Sequence, residues 1–181
     1  MTASTPEHLA SQEVFARPDV VSFYETFVDG LLPAEEHVFS HAVRPGARVL
    51  DLGVGAGRTT AWLRARASSY VGLDYSPPMI ETCRRRFPPT APDDDTSFVV
   101  GDASDLSAFA DGSFDAVVFS FNGIDCLHPD SARQRCLREI HRVLADGGVA
   151  VISEHNPHAL LVRPRPLRGV APSRGAGSRC R

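Results

Sequence analysis

The residues with the types and spacing to do chemistry lie where apolar runs give way to turns. In Val49-Leu50-Asp51-Leu52-Gly53-Val54-Gly55-Ala56-Gly57-Arg58-Thr59-Thr60, a strand-like run meets glycines at alternating positions. Gly53, Gly55 and Gly57 carry no Cβ, so backbone amides of the turn can approach a ligand closely. The spacing is G-x-G-x-G, whereas dinucleotide sites use G-x-G-x-x-G, with a third glycine for helix–strand packing beside a pyrophosphate. Asp51, two residues before the first glycine, would repel phosphates if it points into the loop and would suit an ammonium or sulfonium group. Asp74 follows Gly57 by 17 residues and ends the run Tyr70-Val71-Gly72-Leu73-Asp74, where a carboxylate can accept two hydrogen bonds from vicinal ribose hydroxyls. Further polar residues stand at the ends of later runs: Asp102 after Ser97 to Val100, Asn122 after 115–121, and Glu154-His155-Asn156 after Val149 to Ser153.

The elements that must position these groups follow from periodicity. Val20, Phe23, Tyr24 and Phe27 recur at helical spacing over 19–28, and a second helix after Pro33 carries Val38, Phe39 and Ala42 on one face. Strands are expected at 47–52, 70–74, 97–100, 115–121 and 149–153, the fourth being the continuous apolar type buried on both faces. Helices are expected at 59–66, at 76–87 with Ser76 as N-cap, and at 130–144, where Cys136, Leu137, Ile140, Val143 and Leu144 face the sheet and Gly147-Gly148 closes the helix. Arg84-Arg85-Arg86 reads as the outer face of a helix. Strands alternating with helices predict an α/β, doubly wound, mostly parallel sheet, which places ligands beyond the carboxyl ends of its strands.

Bulk properties narrow the choice. The chain has 181 residues, 43% hydrophobic and 23% charged, which fits one globular domain. No apolar run approaches the roughly 20 residues that span a bilayer, and the N-terminus shows no leader pattern, so a cytoplasmic protein without membrane partners is expected. The scattered cysteines Cys83, Cys126, Cys136 and Cys180 predict reduced thiols. All 19 basic residues are arginine, and residues 163–181 hold six of them with no acid, leaving the first 162 residues with 13 arginines against 22 acids. An acidic body with a basic tail does not predict nucleic-acid binding. His37 and His41 have metal-ligand spacing but lack an accompanying glutamate and a third ligand, so no metal site is expected.

The glycine segment, the acids at the next strand ends and the segment Phe114 to Leu127 together resemble the class I S-adenosylmethionine-dependent methyltransferases. The resemblance implies a Rossmann-like sheet and S-adenosyl-L-methionine as cofactor. It implies cofactor contacts from Asp51, Gly53, Gly55, Gly57, Asp74, Tyr75, Asp102, Ala103 and Asn122. Within these, Asp74 would bind the ribose, Asp102 and Ala103 would face the adenine edge, and Asn122 would sit between cofactor and substrate. Tyr24, Asp125 and His128 would line the pocket of a small-molecule acceptor, under a roof of N-terminal helices. His155, ending the fifth strand, is the expected base where the acceptor is protonated.

The resemblance covers roughly residues 18–158 and lacks the family's last antiparallel strands. It divides the chain into a flexible 1–16, helices over the acceptor pocket at 17–45, a cofactor-binding core at 46–158 and an Arg/Pro/Gly-rich, disordered tail at 159–181. Two other readings follow. A truncated, inactive cofactor-binding protein would expose the edge of its fifth strand and could form a homodimer across it. A nicotinamide-dependent oxidoreductase is disfavoured by the glycine spacing, by Asp51 and by a lysine-free chain that cannot supply a tyrosine–lysine pair.

Overall fold

Alternation of buried side chains along two central strands organises the molecule. The computed structural model describes residues 13–27 and 30–154. Its elements are α1 (Pro18–Phe27), α2 (Pro33–Ala42), β1 (Arg48–Leu52), α3 (Thr60–Arg64), β2 (Ser69–Asp74), α4 (Pro77–Arg86), β3 (Thr96–Val100), β4 (Phe114–Phe119), a 3₁₀ turn (Gly123–Cys126), α5 (Asp130–Val143) and β5 (Leu144–Ile152). The strands form one sheet in the order β3-β2-β1-β4-β5. Every pairing is parallel, as the alternating pattern predicts.

Successive residues of a strand point to opposite faces. Leu50 and Leu52 of β1, with Val117 and Phe119 of β4, pack on one side with Cys136, Ile140 and Val143 of α5. Val49, Ala116 and Val118 pack on the other with Phe39 and Val43 of the α2 region, Leu63 of α3 and Ile80 of α4. Strand order reverses between β1 and β4, and the crevice of a doubly wound sheet lies at such a point.

The structure moves some expected boundaries and faces. Helix α5 does not end in a glycine turn. It runs directly into β5, which begins at Leu144, and the pairing slips from Phe114↔Leu144 to Ala116↔Val149. Gly147 (φ +74°) and its neighbours therefore form an irregularity inside β5, which lets the strand leave the helix and still reach register with β4. Leu137 is exposed, because the buried stripe of α5 runs through Ala132, Cys136, Ile140 and Val143. Ser76 makes no side-chain cap; its hydroxyl donates instead to the Phe15 carbonyl at 2.9 Å. Nor are the three arginines of α4 merely an outer face. Arg84 donates to the Phe98 carbonyl, Arg85 pairs with Glu25 of α1, and Arg86 donates to the Ala56 carbonyl of the glycine loop at 2.6 Å. Residues 13–15, within the stretch expected to be flexible, are helical. The tail at 159–181 and His155 lie outside the described residues.

Candidate active site

The ends of β1, β2 and β4 open into one cleft with about 900 Å³ of empty space counted out to its solvent-open mouth. Its floor is the turn after β1, with Gly53, Val54, Gly55 and Ala56; one wall carries Asp74, Tyr75, Gly101 and Ala103, and the facing wall carries Phe119, Ser120, Phe121 and Cys126. Phe15 and Tyr24 roof it, their rings edge-on to each other at 5.8 Å. Phe23 of the same helix stays outside, about half exposed, against Tyr24.

Glycine is required in the turn for two different reasons. At Gly53 (φ +61°) the backbone is in the left-handed region, and a Cβ would lie 2.8 Å from the Phe119 ring on the cleft wall. At Gly57 (φ +91°) a Cβ would collide with Phe87, so this glycine serves packing against α4 and does not line the cleft.

The two acids of the turn region have separate tasks. Asp51 does not point into the loop. It is still inside β1, in register with Gly72 and Val118, so its side chain follows the pleat onto a sheet face. There it is 1% exposed, accepting from the Thr59 hydroxyl at 2.5 Å and the Tyr70 hydroxyl at 2.8 Å. Burial pushes its pKa up to about 6 against the opposing pull of those two hydroxyls. Asp51 is a foundation beneath the turn.

Asp74 faces the cleft. Its Oδ2 accepts from the Gly55 amide and its Oδ1 from the Ser76 amide, each at 2.9 Å, which locks the carboxylate to the turn. Burial raises its pKa, and the two amides oppose that rise. An ionised carboxylate has about four acceptor positions, so two stay open for ligand hydroxyls.

Beyond β4 the backbone takes an uncommon path. Phe121 (φ +57°) and Asn122 (φ +63°) are both left-handed, at a bias against non-glycine residues of roughly 1–2 kcal/mol each. Ser153, just past β5, holds this turn: its Oγ accepts from the Phe121 amide at 2.8 Å and its carbonyl from the Asn122 amide at 3.1 Å. Arg58 holds the side chains, with its guanidinium 4.7 Å over the Phe121 ring and donating to the Ser120 hydroxyl at 3.1 Å. The same guanidinium forks onto Glu35 of α2 at 2.5 and 2.6 Å. Burial pushes the Glu35 pKa up, but the bonds from Arg58 and from the Leu32 amide outweigh it and hold the carboxyl below its usual range.

Of the residues expected at the site, Gly53, Gly55, Asp74, Tyr75, Ala103 and Tyr24 converge on the cleft. Asp51, Gly57, Asp102, Asn122, Asp125 and His128 are not among its lining residues. Asp102 turns an oxygen back to the Ser104 amide at 2.7 Å and leaves Gly101 and Ala103 at the wall. The left-handed turn presents Phe121 to the cleft and the 3₁₀ turn presents Cys126, rather than Asn122 and Asp125; His128 is exposed. Sequence reasoning missed Phe15, Arg58, Glu35, Phe121 and Ser153. Only Glu35 left a local signal, as the third residue of a helix whose preceding amide it accepts.

Comparison with known proteins agrees with this architecture. Residues 49–148 match the family model described as a methyltransferase domain. A demethylmenaquinone methyltransferase of Clavibacter sepedonicus is 41% identical over 140 residues, covering 74% of this chain and 54% of that protein. The corresponding enzyme of Beutenbergia cavernae is 43% identical over 111 residues, covering 61% of this chain and 42% of that protein. The chain thus spans about half the length of these curated relatives. Among solved structures, a TehB-like SAM-dependent methyltransferase from Corynebacterium glutamicum superimposes with a TM-score of 0.59 at 29% identity, covering 80% of this chain and 72% of that one.

Proposed function

Since this chain belongs to the methyltransferase-domain family, we propose that it binds S-adenosyl-L-methionine in the cleft and transfers its methyl group to a small, partly apolar acceptor. The observation that carries this reading is the pairing of Asp74 with the Gly55 amide across the turn after β1. A buried carboxylate with open acceptor positions stands beside a floor where Gly53 and Gly55 carry no Cβ, which fits a ribose lying against backbone. Gly101 and Ala103 would flank the adenine, and Tyr75 would lie beside the ribose. The bound cofactor supplies an already activated methyl on sulfur.

What remains for the protein is alignment of the acceptor and exclusion of water, and orientation of this kind contributes on the order of 7–11 kcal/mol. Tyr24, Phe121 and Cys126 would form the acceptor side. The aromatic surfaces of Phe15, Tyr24 and Phe121 suit a planar acceptor, and the relatives named for demethylmenaquinone make an aromatic, quinol-like ring the first to test. His155 is proposed as the base for a protonated acceptor. We also propose that the edge of β5 is where a second copy would pair.

Calorimetry with S-adenosylhomocysteine and with NAD tests the cofactor reading. Binding of the former alone is expected, and binding of NAD alone would overturn it. Methyl transfer from labelled cofactor to a panel of phenols and quinols then separates an active enzyme from a binding-only protein. No helix among the described residues is long and apolar enough to cross a membrane.

A further inference from the structure

We propose that Arg58 and Glu35 form a positioning pair that ties the docking of α2 to the shape of the acceptor side of the cleft, an inference that rests on the methyl-transfer reading above. Arg58 is the first residue after the last glycine of the turn, and both side chains are nearly buried, at 9% and 11% exposure. Its guanidinium touches separate pieces of the chain. It forks onto Glu35 of α2, donates to the Gly30 carbonyl at 3.2 Å and to the Ser120 hydroxyl at 3.1 Å, and covers the Phe121 ring at 4.7 Å. A planar fork can satisfy such divergent partners at once, which an ammonium cannot.

The direction of the coupling follows from where each partner sits. Phe121 lines the cleft from a left-handed backbone position that a bulky side chain leaves unless its surroundings hold it. Ser153 secures the backbone of that turn, and Arg58 secures the ring and the preceding hydroxyl. The Glu35 carboxylate bonds only to Arg58 and to the Leu32 amide among the described residues, so its influence on Phe121 passes through Arg58. When α2 is docked, the guanidinium is oriented and the Phe121 wall is set. When α2 lifts, the guanidinium loses its fork and the wall loosens. Arg58, which itself lines the cleft, thereby places the acceptor-facing ring, and Glu35 acts one step further back.

Hydrogen exchange on the ligand-free protein tests this, using Glu35→Gln, Arg58→Met and the double variant. Amides of 121–127 are expected to exchange about tenfold faster in each single variant, and no faster in the double variant than in Arg58→Met. Unchanged exchange of 121–127 in Glu35→Gln, or effects that multiply in the double variant, overturns the proposal. Arg58→Lys keeps the charge opposite Glu35 but lacks the fork and the stacking plane. It is expected to protect 33–42 while leaving 121–127 loosened; full protection of both would reduce the pair to a simple charge pin and refute the positioning role. The lysine variant also carries the test if Arg58→Met, with its buried unpaired carboxylate, does not fold. S-adenosylhomocysteine calorimetry on the unaltered protein is read separately: absence of binding would remove the methyl-transfer reading while the exchange coupling would still be measured.

Discussion

The turn after β1 and the turn after β4 face each other across the cleft, and both depend on left-handed backbone. The first meets that demand with glycines, at Gly53, Gly55 and Gly57, and is supported from below by Asp51, Thr59 and Tyr70. The second places Phe121 and Asn122 in the same region and is held from outside by Ser153, Arg58 and, through Arg58, Glu35. One wall is thus conformationally relaxed and written locally. The other is strained and maintained by contacts from three distant segments. In the proposed enzyme the relaxed wall takes the constant ligand, and the strained wall takes the acceptor.

Four substitutions break or sharpen this contrast, and the largest effect is expected on the cofactor side. Asp74→Asn removes two charge-assisted acceptors for ribose hydroxyls and should weaken S-adenosylhomocysteine by about 4 kcal/mol, close to a thousandfold. Because hydroxyl donors favour the ionised carboxylate and burial raises its pKa, affinity in the parent should also decline as pH falls through that raised pKa. Calorimetry across pH on both proteins checks this, and a parent with flat affinity would contradict the assignment of Asp74.

Next in size is Asp51, which should change stability and not binding chemistry. Its folded pKa of about 6 exceeds the unfolded 3.8, so the folded state holds the proton longer. Its contribution therefore declines as pH rises from about 4 to 6, by about 3 kcal/mol in all. Asp51→Asn should flatten that slope and be the more stable protein above pH 6. Urea titrations at pH 4 and pH 7 measure the difference, and parallel pH profiles would show that Asp51 is not the group responsible.

The last two substitutions test the turns against each other. Gly53→Ala puts a Cβ at positive φ, 2.8 Å from the Phe119 ring, and should cost about 1–3 kcal/mol by thermal unfolding. Asn122→Gly, at nearly the same φ, should do the reverse and stabilise by about 0.5 kcal/mol, since asparagine tolerates this region better than most residues. Effects of the same sign would remove the distinction between a relaxed turn and a strained one.

Much of this architecture is legible along the chain. The parallel sheet, the alternation of strands and helices, and the positions of Gly53, Gly55 and Asp74 at strand ends all follow from local pattern. Where the structure departs from local pattern, the departures share a cause. Asp51 was two residues from the turn by count but still paired within β1, so the pleat decided its direction. Asn122 stands at the expected distance after β4, yet the left-handed pair Phe121 and Asn122 presents the Phe121 ring to the cleft. Gly147-Gly148 has the composition of a helix stop, but pairing with β4 drew those residues into β5 as an irregularity.

By itself, then, the sequence determined where the chain can turn without a side chain and where an acid can stand at a strand end, because both depend on residues adjacent in order. Only the tertiary structure decided which side chains face the cleft. That choice rests on strand register, on two strained dihedrals, and on one buried guanidinium that joins segments 23 and 62 residues away. Burial makes such a cation seek every partner within reach, and which partners are within reach is a property of the folded chain.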